Sequence, residues 1–233
     1  MCGRYVAATP PAELAAQLGV TEVRAEDLGP RYNVAPTMPV YAVAESHGIR
    51  SLGTFRWGLV PSWAKDASIG SKLINARAES VADKPAFRNA LARRRCLIPA
   101  DGFYEWERQG PKRRQPFYLR ARDGRPLTFA GLWEVWRDPQ EPDGELVRTC
   151  TIVTTGANAE AGRVHNRMPV LLAPSTWDAW LDRDNHDVAS LQGLLVPAPD
   201  GTLELQPVSN AVNDVRHEGP SLLDPSEEQQ QSL

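Results

Sequence analysis

The chain has 233 residues, 42% hydrophobic and 24% charged, an ordinary globular composition able to bury roughly 70–75% of its unfolded surface in one core. Its 26 Lys and Arg against 29 Asp and Glu leave a net charge of −3. No run approaches the ~20 apolar residues of a membrane span, and Met1-Cys2-Gly3-Arg4-Tyr5 lacks the basic-then-apolar layout of a secretory signal, so an intracellular, cytoplasmic protein away from membranes is expected.

Twenty prolines cut the chain into short segments, which favours strands and loops over long helices. Thr9-Pro10-Pro11 opens a short helix that Gly19 closes. Strands are predicted near 38–45 and 51–60, followed by helices from about Ala76 to Ala82 and from about Phe87 to Arg94, with Lys84-Pro85 between them. Further strands are predicted near 96–107, 116–122 and 126–136, the last two joined by a hairpin turn at Asp123-Gly124. Strands near 147–155 and 168–173 come next, then a helix over Trp177, Trp180 and Leu181 started by a capping box of Ser175 and Asp178. A strand near 203–209 completes the set. The sum is an α+β fold, a single β-rich domain over residues 1–220, with 221–233 as a disordered tail.

The net charge hides an asymmetry. Residues 1–137 carry 21 basic and 13 acidic side chains, while 138–233 carry 5 and 16. Of the 26 cations 22 are Arg, whose planar fork suits phosphate. Arg-for-Lys codon usage and a solvated face explain the same count, and taken alone that is the plainer reading. Phe55, Trp57 and Trp63, close to Arg56, Lys65 and Lys72, would make a stacking-plus-phosphate surface for single strands; a tryptophan in a β-rich core is the competing account of each.

Three cysteines, Cys2, Cys96 and Cys150, are too few and too scattered for a disulfide framework or a C-x-x-C site, and structural zinc is not expected. Cys2 stands apart because removal of the initiator Met exposes it. The residue would then hold a free α-amine and a thiol within reach of one aldehyde carbon, the amine giving an imine and the sulfur closing it to a thiazolidine. With the amine as its base, the thiol could instead attack an ester or amide. A buried small hydrophobe is the alternative.

Of four histidines, His165 is the candidate for a cleft, lying between the strand ending near 155 and the apolar run from Met168, with Arg167 beside it. Glu105 sits in Gly102-Phe103-Tyr104-Glu105-Trp106-Glu107, where alternation puts Phe103, Glu105 and Glu107 on one face. A carboxylate among aromatics is desolvated and suits proton donation, whereas an edge-strand Glu facing water fits the same pattern. Asn75 reads as a helix N-cap before Ala76-Arg77-Ala78-Glu79, in which Arg77 and Glu79 could form a surface pair.

Together these segments resemble the SOS response-associated peptidase family, whose members shield abasic sites in single-stranded DNA by covalent attachment. The stretches that carry the resemblance are Met1-Cys2-Gly3-Arg4, Arg31-Tyr32-Asn33-Val34-Ala35-Pro36, Trp57-Gly58-Leu59-Val60-Pro61-Ser62-Trp63 and Asn75-Ala76-Arg77-Ala78-Glu79. Further along come Arg95 through Trp106, His165-Asn166-Arg167-Met168-Pro169-Val170, Val208-Ser209 and Val212-Asn213.

The resemblance implies a compact fold of antiparallel, barrel-like sheets with no metal or organic cofactor, and a monomer whose partner is single-stranded DNA containing abasic sites. It implies that Cys2 is the nucleophile after Met removal and that Asn75, Glu105 and His165 complete the active site. Arg4, Asn33, Trp63, Arg77 and Arg167 would contact the DNA, Arg77 and Arg167 through phosphates. Met38-Pro39-Val40 would form a loop tip that wedges between bases, and Ala64 stands where relatives often carry a second aromatic. The expected activity is a thiazolidine cross-link between Cys2 and the ring-opened deoxyribose, with associated lyase-like and autopeptidase chemistry. A thiol-dependent autopeptidase and a non-covalent single-strand binder are the alternatives.

Overall fold

The computed structural model describes residues 2–111, 113–141 and 143–226. In chain order its strands are β1 (Tyr5–Ala7), β2 (Glu22–Val23), β3 (Arg31–Val34), β4 (Pro39–Ser46), β5 (Ile49–Trp57), β6 (Asn75–Arg77) and β7 (Arg95–Ala100). They continue with β8 (Gly102–Arg108), β9 (Arg114–Ala121), β10 (Leu127–Trp136), β11 (Val147–Gly156), β12 (Arg167–Pro169) and β13 (Leu203–Pro207). The helices are short: α1 (Pro11–Gln17), α2 (Arg88–Arg93), α3 (Ala159–Gly162), α4 (Trp177–Leu181) and α5 (Val188–Gly193). None is long and apolar enough to cross a membrane.

The strands form two sheets, one in the order β13-β9-β8-β1-β3 and a larger one in the order β12-β11-β10-β7-β4-β5-β2. The larger sheet closes into a ring because β11, already paired to β10, also meets β5 at Thr149↔Arg56 and Cys150↔Trp57. The expectation of antiparallel sheets holds for most pairs but not all: β2–β5, β5–β11 and β6–β11 are parallel.

Alternation along the ring strands divides the apolar side chains between two cores. Val40 and Ala42 of β4, with Cys96 and Ile98 of β7, face the core shared with the smaller sheet, where Tyr5, Phe103 and Leu119 lie. Tyr41, Val43 and Leu97 point the other way, toward Leu91 of α2 and Trp180 of α4. Both faces of these strands are therefore buried, and their runs read as continuously apolar rather than alternating.

The predicted strand 96–107 is in fact two strands in different sheets. The break is at Asp101, whose carboxylate accepts from the backbone N–H of Ala8 (2.6 Å) and Thr9 (3.1 Å). Gly102 is required next, since a Cβ there would lie 2.5 Å from the Tyr118 ring. Asp123-Gly124 does turn, with Gly124 at φ +75°, but it carries the chain from the smaller sheet to the larger and makes no hairpin.

The helix expected from Ala76 to Ala82 is absent. Its first residues form β6, which lies parallel on β11 through Ile152↔Asn75 and Thr154↔Arg77; an open sheet edge outweighs local propensity here. The N-cap reading of Asn75 falls with it. Ser175 lies inside a 3-10 turn, Pro174–Thr176, and Thr176 precedes α4 without a side-chain capping bond, so the capping box does not form. Residues 221–226, expected in the tail, belong to the domain: Leu222 is buried and Pro225 bridges to Val208. The rest of the expected tail lies outside the described residues.

Candidate active site

Cys2 lies just ahead of β1, fully buried in the core between the sheets. Its carbonyl oxygen accepts from Asn75 Nδ2 at 2.8 Å, so the β6–β11 pairing that overrode the helix also brings Asn75 to the chain's start. Asn75 Oδ1 is buried and has no hydrogen-bond partner among the described residues, an acceptor open to an incoming donor. Burial, reinforced by the charge of Glu105, pushes the Cys2 thiol far above its ordinary pKa. The sulfur is held as a protonated thiol. Cys96 and Cys150 are buried in the same core.

Glu105 sits on β8 opposite Phe117 and is only 3% exposed. Its face is the one predicted, with Phe103 in the inter-sheet core while Tyr104 and Trp106 pack on the far side of the strand. Desolvation by burial raises its pKa. Burial dominates, so the carboxyl is primed to hold and deliver a proton.

Glu105 and His165 line one hollow of about 700 Å³, together with Trp106, Arg114, Arg163 and Asn166. His165 follows α3, and its Nδ1 accepts from the Arg167 backbone N–H at 3.0 Å. That bond places the proton of the neutral ring on Nε2, a tautomer assigned from the hydrogen-bond geometry. The atom it presents is a donor. A larger hollow of about 1060 Å³, lined by Leu14, Leu18, Leu127 and Trp177 among others, holds none of these groups.

Arg77 is exposed at the end of β6. Arg167 is committed: Nη1 and Nη2 meet the two carboxylate oxygens of Glu79 at 2.6 and 3.0 Å, and Nη2 also reaches the Thr154 carbonyl at 2.7 Å. Glu79 therefore pairs with Arg167 across β11, on which both β6 and β12 lie. Trp63 is 59% exposed and free to stack, whereas Phe55 and Trp57 are buried, Trp57 with its Nε1 on the Ile74 carbonyl; these two are core and do not reach a ligand. Ala64 is buried under Trp136, whose Nε1 donates to its carbonyl.

Two expectations for DNA contact change. Asn33 is 0% exposed. Its Oδ1 accepts from Arg4 Nη1 at 2.7 Å while its Nδ2 donates to the carbonyls of Asp214 and His217 at 3.0 and 2.9 Å. Both ends of its amide are engaged inside the protein, so it positions Arg4 and the segment after β13 and does not face solvent. Val40, expected at a wedge tip, is buried in β4; the turn lies at Pro36-Thr37-Met38, with Thr37 at φ +74°.

Sequence reasoning did not single out Arg108, Arg114 and Arg163, which line the Glu105–His165 hollow. Only the pairing of β8 with β9 brings the first two opposite each other. Among the described residues no three His, Cys, Asp or Glu side chains gather in a way that could hold a metal ion.

Residues 1–215 match a family described as SOS response associated peptidase (SRAP). The chain is 39% identical over 225 residues to Abasic site processing protein YoqW of Bacillus subtilis, covering 96% of this chain and 99% of that one. It is 32% identical over 201 residues to Abasic site processing protein HMCES of Gallus gallus, covering 76% of this chain and 58% of that one. A solved protein from Bacteroides thetaiotaomicron superposes with a TM-score of 0.86 at 23% identity, over 97% of this chain and all of that one, and shares the fold.

Proposed function

Given that this chain belongs to the SOS response associated peptidase family, we propose that it processes abasic sites in single-stranded DNA by covalent capture at Cys2. The observation that carries the reading is the meeting of four residues from separate segments: Cys2, held through its carbonyl by Asn75, has its thiol beside Glu105, which borders the same hollow as His165. The names of its relatives, abasic site processing proteins, support the substrate.

Removal of Met1 leaves Cys2 with a free amine. Glu105 gives its proton to the sugar ring oxygen as the bond from that oxygen to the anomeric carbon breaks, and the anomeric hydroxyl passes its proton to water as its C–O bond becomes the aldehyde C=O. The amine adds to this carbon and water leaves, giving an imine. The thiol then adds across the imine carbon, forming a carbon–sulfur bond, and its proton passes to nitrogen. Amine first and sulfur second suits a thiol that burial keeps protonated. An imine left open would acidify the neighbouring sugar carbon and permit β-elimination, so ring closure protects the strand.

His165, presenting Nε2–H, orients the sugar oxygens or the leaving water. Asn75 Oδ1 accepts from the amine or a sugar hydroxyl. Arg77 and Arg167 hold flanking phosphates and Trp63 stacks on a base, with the protein working as an intracellular monomer.

Intact-mass analysis before and after mixing with an abasic oligonucleotide tests the reading. The expected result is a chain lacking Met1 that gains the oligonucleotide mass with loss of one water. Cys2→Ala should give no adduct, and Cys2→Ser should give an imine that borohydride traps. A heat-stable adduct from Cys2→Ala would place the linkage elsewhere and overturn the proposal.

A further inference from the structure

Arg108 ends β8 and Arg114 begins β9, and the two are directly opposite in the ladder. Like charges facing across a strand pair destabilise it, and an anion bound between them would offset that. Among the described residues, neither side chain makes a hydrogen bond or ion pair, and the same is true of Arg163 after α3. All three are exposed, and all three line the hollow that holds Glu105 and His165. Glu107 lines it too, its carboxylate accepting from Gln109 Nε2 at 3.1 Å.

The hollow continues past Trp106. That indole and Arg114 also line a second hollow, of about 510 Å³, with Asn210 and Asn213. Trp106 is fixed there, its Nε1 donating to Asn213 Oδ1 at 2.7 Å and Arg4 lying 5.9 Å from its ring centre. A polar groove thus runs from the catalytic carboxyl along the β8–β9 hairpin, lined by Arg108, Arg114 and Arg163, whose guanidinium groups have no partner among the described residues.

We propose that Arg108, Arg114 and Arg163 form a phosphodiester-binding track for the stretch of strand that leaves the abasic nucleotide on the Glu105–His165 side. The proposal rests on the reading of this site as one that takes single-stranded DNA. It assigns these cations a job separate from Arg77 and Arg167: those flank the Cys2–Asn75 side of the site on β6 and β12, whereas the hairpin cations hold the strand beyond the reacting sugar. Guanidinium forks held in a groove match phosphate oxygens in pairs, and each phosphate so neutralised releases counterions and steepens the salt dependence of binding.

The test is fluorescence anisotropy with an oligonucleotide carrying a tetrahydrofuran abasic analogue, which has no aldehyde and cannot cross-link, titrated across a salt series. The variant Arg108→Ala/Arg114→Ala/Arg163→Ala is expected to reduce the slope of log K against log salt by roughly 2, about 0.7 per lost phosphate contact on a single strand. The Lys-for-Arg triple variant should restore most of that slope. Moving the analogue toward one end of the oligonucleotide should erase the difference between wild type and the Ala variant for one end only. An unchanged slope in the Ala variant, or an equal effect at both ends, overturns the track. Because this readout involves no chemistry, an absent adduct would sink the Cys2 reaction without touching the track, and a flat response here would leave the Cys2 reaction standing.

Discussion

Both terminal nitrogens of Arg167 are engaged by Glu79, so a phosphate that takes them competes with that carboxylate, and the exchange has a measurable size. Arg167 Nη1 and Nη2 are engaged end-on by both oxygens of the Glu79 carboxylate, a bidentate pair in which Arg167 is 15% and Glu79 58% exposed. Bidentate geometry favours the pair, but solvent around Glu79 screens it, so it contributes about 0.5–1 kcal/mol. Glu79→Gln keeps the shape and removes the charge, sparing the DNA that cost: single-strand affinity should rise by roughly 2- to 5-fold, the equivalent of ~0.5–1 kcal/mol at RT near 0.59 kcal/mol. The bond to Thr154 O, at 2.7 Å, remains to hold the guanidinium in place. The assay is anisotropy with the tetrahydrofuran oligonucleotide at fixed low salt, completed as a double-mutant cycle with Arg167→Ala. In the Arg167→Ala background the gain from Glu79→Gln should vanish. Weaker binding by Glu79→Gln would show that the carboxylate positions the arginine rather than competing with DNA, and a gain that survived Arg167→Ala would remove Arg167 from the account.

Two further variants separate chemistry from scaffold. Glu105→Gln should slow adduct formation by roughly 10²- to 10⁴-fold, the usual worth of a positioned general acid, read by quenched gel or mass analysis. The same change should raise stability at neutral pH. Burial lifts the Glu105 pKa, so ionising it costs the folded state above the ordinary carboxylate range, and the gain in urea midpoint should shrink as pH falls toward that range; a gain that grows on acidification would contradict the sign. Asn33→Ala should lower stability by about 2–4 kcal/mol, because it strands buried carbonyls and the Arg4 guanidinium. Its effect on DNA binding should follow from Arg4 alone, and loss of binding without loss of stability would refute the positioning role.

Much of the candidate site was legible in the sequence because the chemistry proposed for it is carried by residue type at a fixed address. A cysteine at position 2, a carboxyl flanked by Phe103 and Trp106, and a histidine placed between a strand and an apolar run each announce their capacity locally. The face on which Glu105 lies followed from the period of two, and α1 followed from Pro10-Pro11 and Gly19. The strands missed by the same reading, β1, β2, β3 and β6, are two to four residues long. Segments that short have no periodicity to detect, and their backbone groups are satisfied by partners far along the chain.

What the amino-acid order determined alone was the inventory: an α+β chain of short elements, a cysteine at position 2 whose amine Met removal would free, and an excess of arginine with no fixed direction. Tertiary structure decided how each polar side chain is used. Asn75 reaches the Cys2 carbonyl only because β6 lies on β11, Asn33 is held inside the protein by carbonyls some 180 residues distant, and Glu79 turns to Arg167 in preference to the adjacent Arg77. The physical reason is that hydrogen bonding and desolvation act over a few ångströms of space. Local sequence sets what a group can do, and the long-range pairing of strands sets which partner, or how much water, it meets.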